Sequence, residues 1–357
     1  MMDRFTNEPQ RMDSELYHQF HPRLKSKFPL DVLSENLLSY LEGLLDDDSL
    51  SYLIPLQPLY KGYERLLFSL QLSTDSSDFS TPLILRLYQH DISYDFVEFE
   101  SSVQQAMLTE QFPVPRIFHI CKDRSILGGY FILMEQIKGK NLNEYIMKSY
   151  HTITTISKIL ARTQIQLHRV NLDTVMNLLN EKGIDVNRYT FDALFEELKS
   201  RVSSDVSPDY KPIWNWLIEN KPKNTDQYVI CHSDLHFGNI IYDQHAVTGV
   251  VDWGKTRFCE AEYDIAATLI LLDMSYRWYT YSPKFIISTL RRYLFWMYLS
   301  EYRKHKKIDT DKLQYYKALI SFHHLMLTKK RELPDTLYKE TLEFYQEQLE
   351  KSMQYFQ

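Results

Sequence analysis

The residues of this chain best suited to chemistry lie in one stretch, Cys231-His232-Ser233-Asp234-Leu235-His236-Phe237-Gly238-Asn239, followed by Val250-Val251-Asp252-Trp253-Gly254. The pattern is His-x-Asp-x-x-x-x-Asn, then Asp-aromatic-Gly. His-x-Asp alone is expected about once by chance in a chain of this composition. Requiring Asn five residues after that Asp lowers the expectation to roughly 0.03. Phosphoryl transfer gives the spacing a reason, because it needs a carboxylate beside the acceptor hydroxyl and oxygen ligands for Mg²⁺. Asp234 can orient the hydroxyl and accept its proton. Asn239 offers a neutral oxygen to the metal, and Asp252 can bring a carboxylate to the same ion.

Such a loop must be held rigid. Val229-Ile230, Ile240-Ile241 and Val250-Val251 predict short strands on its flanks. Three of the nine glycines, Gly238, Gly249 and Gly254, fall between 238 and 254, each expected at a turn of this hairpin. Further out, residues 1–50 read as a helical N-terminal extension, with Leu33, Leu37, Leu38, Leu41, Leu44 and Leu45 at helical spacing. Residues 51–135 change to strands and turns, with strands predicted over 66–72, 83–88 and 130–135 and a helix over 96–110 that stops before Pro113. Residues 136–357 are mainly helical, with helices over 153–168, 191–202 and 213–218 and again from 263, around a β island at 228–251. Residues 136–140 read as a hinge, with Gly139 supplying backbone freedom. The predicted class is α+β, a smaller β-rich lobe preceding a larger helical one.

Composition excludes several alternatives. An apolar content of 44% is too high for a disordered chain, and nine glycines leave little room for a multi-glycine phosphate loop. Lys plus Arg is 41 against 47 Asp plus Glu, a net charge of −6, so no nucleic-acid partner is expected. The basic run at 303–307 reads as a solvated helix end. Three widely spaced cysteines without CxxC argue against a zinc site or a disulfide framework. The N-terminus lacks an apolar signal segment, and the longest apolar run, 265–272, is too short for a membrane span. A cytoplasmic protein is expected, with no membrane partner.

The segment 231–254 resembles the catalytic region of the aminoglycoside phosphotransferase and choline kinase superfamily, which has the protein-kinase-like fold. That family's segment typically reads HGDxHxGN, followed by a hydrophobic-Asp-Phe/Trp element. Here Ser233 stands in place of the first glycine and Phe237 where proline is frequent. The resemblance implies Asp234 as catalytic base, Asn239 and Asp252 as Mg²⁺ ligands, and His232 as a support of the loop. Tyr263-Asp264-Ile265-Ala266 resembles an element whose aspartate, here Asp264, fixes the loop. Pro113-Val114-Pro115 resembles a family turn, and Phe131–Gln136 the strand entering the hinge, where Glu135 and Gln136 would offer backbone to adenine.

In the nucleotide-binding lobe, the resemblance places Arg86 where protein kinases carry a strand lysine on the phosphates. Arg can hold phosphate bidentately. Glu100, rather than Glu98, is its expected carboxylate partner. The phosphate-covering loop is expected around Lys61-Gly62, with only one glycine. Acceptor-site candidates are Glu260, Glu262 and Asp273, with Tyr276, Trp278, Tyr279 and Tyr281 following. The implied activity is transfer of the ATP γ-phosphate, with Mg²⁺, to a hydroxyl of a small acceptor: an amino alcohol, amino acid, sugar or aminoglycoside. The competing expectation is a pseudokinase or nucleotide-binding scaffold, favoured by the glycine-poor loop and the N-terminal extension.

Overall fold

The computed structural model describes residues 28–59, 65–76, 78–146, 150–205, 210–223, 227–277, 284–328 and 335–356. The chain forms two compact units. The first comprises residues up to Val97 together with Arg116–Gln136, and the second comprises Glu98–Pro115 and Ile137–Gln357.

In the first unit, helix α1 (Leu30–Leu45) is followed by strands β1 (Ser51–Pro58), β2 (Leu66–Ser73) and β3 (Leu83–Leu87). After helix α2 (Tyr94–Thr109) come β4 (Ile117–Cys121), the short α3 (Arg124–Leu127) and β5 (Phe131–Glu135). The strands make one antiparallel sheet in the order β1-β2-β3-β5-β4. Period-two alternation puts Phe68, Leu70 and Leu72 of β2, and Leu83, Leu85 and Leu87 of β3, on one buried face. Leu33, Leu37 and Leu41 recur every fourth residue along α1 and pack into that same core. The helix expected as a preface is therefore part of the first unit's core. Strands β1 and β4 had no sequence expectation of their own. Exposure at six of eight β1 positions, and half-burial along β4, removes the alternation that would reveal them.

Helix α2 begins in the first unit, but Phe99, Val103, Ala106 and Met107 belong to the core of the second. That unit continues with β6 (Lys140–Asn141), α4 (Asn143–Ile146), α5 (Tyr150–Leu167), α6 (Leu172–Glu181), α7 (Phe191–Asp205) and α8 (Lys211–Glu219). Then come β7 (Tyr228–Cys231), β8 (Ile240–Tyr242), β9 (Val247–Val250), β10 (Arg257–Glu260), α9 (Ala261–Arg277), α10 (Lys284–Arg303), α11 (Thr310–Thr328) and α12 (Asp335–Gln354). Two small antiparallel sheets, β6-β8-β9 and β10-β7, carry the loops of interest. Helix α9 lies deep in the core, with Ile265, Ala266, Leu269, Ile270 and Leu272 all buried. Gly139 adopts φ +123°, and a Cβ there would lie 2.6 Å from the Tyr242 carbonyl oxygen, so both conformation and space require glycine. Among the described residues, no helix is long and apolar enough to cross a membrane.

Candidate active site

The three residues singled out for chemistry come together within the second unit. After β7 the chain turns through His232–Leu235, and a 3₁₀ turn, Phe237–Asn239, leads into β8. The Asn239 side-chain amide donates to the Asp234 carbonyl at 2.9 Å, and its backbone N–H donates to the His236 carbonyl at 3.0 Å. The Val251 N–H in turn donates to the Asn239 carbonyl at 3.0 Å, which sets Asp252 beside Asn239. His236 accepts the Gly238 N–H at its Nδ1, 3.0 Å away. Burial lowers the His236 pKa below 6.5. Asp234 and Asp252 oppose that shift, while His232 and Lys255 reinforce it. Asp234, Asp252 and Lys255 therefore all act on one imidazole.

Asp252 is half-buried and sits at φ +73°, a left-handed conformation that Asp tolerates better than most residues. It precedes a second 3₁₀ turn, Trp253–Lys255, at whose end Lys255 Nζ lies 3.1 Å from Asp234 Oδ1.

The loop is braced from behind. The buried His232 donates from Nε2 to the Val251 carbonyl at 3.1 Å and accepts the Asp234 N–H at Nδ1 at 3.3 Å. With both ring nitrogens engaged, one imidazole ties the backbone at Asp234 to the strand end before Asp252, a bracing geometry. The Trp253 ring packs 4.7 Å from His232 and edge-on to Phe112 at 5.8 Å. The Pro113 carbonyl accepts the Val250 N–H at 2.8 Å, so the Pro-Val-Pro turn holds the strand that delivers Asp252.

Asp264 is fully buried near the start of α9. Its Oδ1 accepts the Ser233 N–H at 2.6 Å. Its Oδ2 accepts from Gln164 Nε2 at 2.7 Å and from His168 Nε2 at 3.0 Å. Burial alone would raise its pKa, but these donors outweigh burial and hold it below 3.8. One turn on, Thr268 donates to the Leu235 carbonyl at 3.0 Å, so two side chains on one face of α9 grip the loop. Tyr298 donates to Gln164 Oε1, and the Tyr302 hydroxyl meets His168 Nδ1 at 2.7 Å. Gln164, Thr268, Tyr302 and Lys255 carried no functional expectation from sequence. The first three act across about 30 to 134 residues of chain. The signal for Lys255 was a cation one turn past the Asp252 element.

Ser233 adopts φ +63°, and its Oγ is buried without a hydrogen-bond partner among the described residues. That conformation accounts physically for glycine at the corresponding place of the resembled motif. Gly249 lies within β9, opposite Ile241, and not at a turn as expected from its spacing. A Cβ there would overlap Ile137 Cδ1, so close packing is the reason for glycine.

The remaining expectations divide by unit. Arg86 is buried on the central strand β3, opposite Leu67 and Ile132. Glu135 ends β5 and Gln136 follows it, their N–H groups already taken by the Arg116 and Pro82 carbonyls, each at 2.9 Å. Glu100 is fully buried on α2, while Glu98 is half-buried and acts on Lys182. Lys61, Gly62, Trp278, Tyr279 and Tyr281 lie outside the described residues.

The three acids expected near the acceptor are engaged inside the fold. Glu260 pairs with Lys312 at 2.7 Å and accepts from Tyr316 at 2.8 Å. Glu262 accepts the Asp309 N–H at 3.1 Å, and Asp273 pairs with Arg291 and Gln348, each at 2.5 Å. All three are buried.

The donor set suits Mg²⁺. This ion takes few protein oxygens and fills the rest of its shell with water and phosphate oxygens. Asn239 spends its amide nitrogen on the backbone, and its Oδ1 takes no hydrogen bond among the described residues. The Asp252 carboxylate stands on the adjoining strand end. No group of three or more His, Cys, Asp or Glu side chains that could hold a metal ion occurs among the described residues.

Residues 56–307 match the phosphotransferase enzyme family, and the chain belongs to it. The aminoglycoside 3'-phosphotransferase of Niallia circulans is 24% identical over 224 residues, covering 61% of this chain and 75% of that protein. Human acyl-CoA dehydrogenase family member 11 is 24% identical over 163 residues, 44% of this chain. The match spans only about a fifth of the length of that relative. Among solved structures, Plasmodium vivax ethanolamine kinase aligns over 98% of this chain and 96% of its own, with a TM-score of 0.56 and 16% identity. The fold is thus the protein-kinase-like α+β fold.

Proposed function

We propose that this chain is a small-molecule kinase, transferring the γ-phosphoryl group of ATP to a hydroxyl of a small acceptor. The observation that carries the reading is the junction of Asp234, Asn239 and Asp252 through two hydrogen bonds, Asn239 side chain to Asp234 carbonyl and Val251 N–H to Asn239 carbonyl. In this reading the acceptor hydroxyl donates to the Asp234 carboxylate. The hydroxyl oxygen then forms a bond to the γ-phosphorus as the bond to the β,γ-bridging oxygen breaks. The proton passes to Asp234, and ADP leaves. Asn239 Oδ1 and the Asp252 carboxylate would hold Mg²⁺, which neutralises charge on the phosphates when bound. Asp264, Thr268 and His232 keep the loop in place throughout. In this reading Arg86 is assigned to the phosphates, and the backbone of residues 135–136 to the base.

Amino alcohols, amino acids, sugars and aminoglycosides are the acceptor classes to compare. ATP consumption measured against one representative of each tests the reading. Acceptor-dependent ADP release with one class supports it. The absence of release from all four, with no Mg²⁺-dependent stabilisation by ATP, favours the scaffold alternative.

A further inference from the structure

We infer that Lys255 is the cation that receives the transferring phosphoryl group, an inference that rests on the kinase reading above. Among the described residues, Lys255 is the one cation paired with the Asp234 carboxylate, at 3.1 Å. A hydroxyl bonded to that same oxygen of Asp234 lies within about two hydrogen-bond lengths of Lys255 Nζ, roughly 5–6 Å. The phosphorus must come into bonding contact with that hydroxyl oxygen, so its outer oxygens fall within reach of the ammonium.

The backbone beneath Lys255 is fixed. Trp253 is fully buried and donates from Nε1 to the Val250 carbonyl at 3.1 Å. Thr256 closes the turn with its N–H and hydroxyl on the Trp253 carbonyl, at 3.1 and 2.7 Å. The Lys255 side chain remains 49% exposed on its flexible stem, free to swing from the carboxylate to an arriving phosphate. An ion pair this exposed contributes little to stability. A lysine on a braced turn beside the reacting carboxylate has its use in charge neutralisation instead.

In the step itself, the P–O bond to the acceptor forms and the bond to the bridging oxygen of ADP breaks. The acceptor proton goes to Asp234, and Lys255 keeps its own proton while donating to a phosphoryl oxygen.

The test uses nucleotide binding, which needs no acceptor. Calorimetric titration with AMP-PNP and with ADP, each with Mg²⁺, is compared for the wild type, Lys255→Met and Lys255→Arg, all first shown to melt alike. One charge-assisted hydrogen bond predicts about tenfold weaker AMP-PNP binding for Lys255→Met, with ADP binding unchanged and Lys255→Arg near wild type. Equal weakening for both nucleotides, or no weakening, overturns this inference alone. A wild-type chain that binds neither nucleotide overturns the kinase reading and this inference with it.

Discussion

Removal of Asp264 should cost more than the loss of any other single polar group described above. Its carboxylate accepts from the Ser233 backbone, from Gln164 and from His168, with no solvent to replace it. Asp264→Ala leaves these buried donors without an acceptor, each worth about 1–3 kcal/mol, and breaks a buried charged network, worth about 3–5 kcal/mol in total. We expect a loss of about 3–5 kcal/mol, a large share of the 5–15 kcal/mol typical of a folded protein. Asp264→Asn keeps one acceptor for Ser233 N–H, and His168 can change tautomer to meet the new amide, so that only the Gln164 Nε2 donor loses its acceptor at this position. Its cost should be about 1–2 kcal/mol. Urea unfolding followed by tryptophan fluorescence measures both. A loss below about 1 kcal/mol for Asp264→Ala would refute the view that this network anchors the loop.

Three further outcomes follow from the same geometry. Ser233→Gly relieves a left-handed backbone and a buried hydroxyl without a partner, and should raise stability by about 1–2 kcal/mol in thermal melts. The His236 pKa is depressed in the fold, so its stabilising contribution is complete above about pH 6.5 and is lost as pH falls toward the lowered value. His236→Asn keeps an acceptor for Gly238 N–H, and its melting temperature should be less sensitive than wild type to acidification below pH 6.5. Asp252→Asn retains a side chain suited to φ +73° while removing the charge, and should abolish Mg²⁺-dependent thermal stabilisation by ATP without lowering the melting point of the free protein.

What could be read from the chain alone was what the chain itself keeps close. Asp234, Asn239 and Asp252 lie within 19 residues, and their spacing reflects one loop and one hairpin. The Asp264 network was not legible beyond Asp264 itself. Its partners lie on α5 and α10, and nothing in the local pattern around Gln164 or Tyr298 distinguishes them from ordinary helix-core residues. The same distance hides the partners of the acids expected near the acceptor. Glu260 and Asp273 look available in sequence, yet Lys312, Tyr316, Arg291 and Gln348 reach them from later helices. Strand β10, four residues long, is too short for periodicity to announce, although it positions Glu260 and leads into α9.

The most direct test of the account is ADP formation by Asp234→Asn in parallel with the wild type, using the acceptor class that gives the highest turnover. The substitution removes the charge that pairs with Lys255 but leaves the backbone bonds of residue 234 to His232 and Asn239 in place. The account predicts that turnover falls by about 10²–10⁴-fold while the variant melts cooperatively and still binds ATP with Mg²⁺. Turnover within a few-fold of wild type would contradict the assignment of Asp234 and, with it, the proposed mechanism.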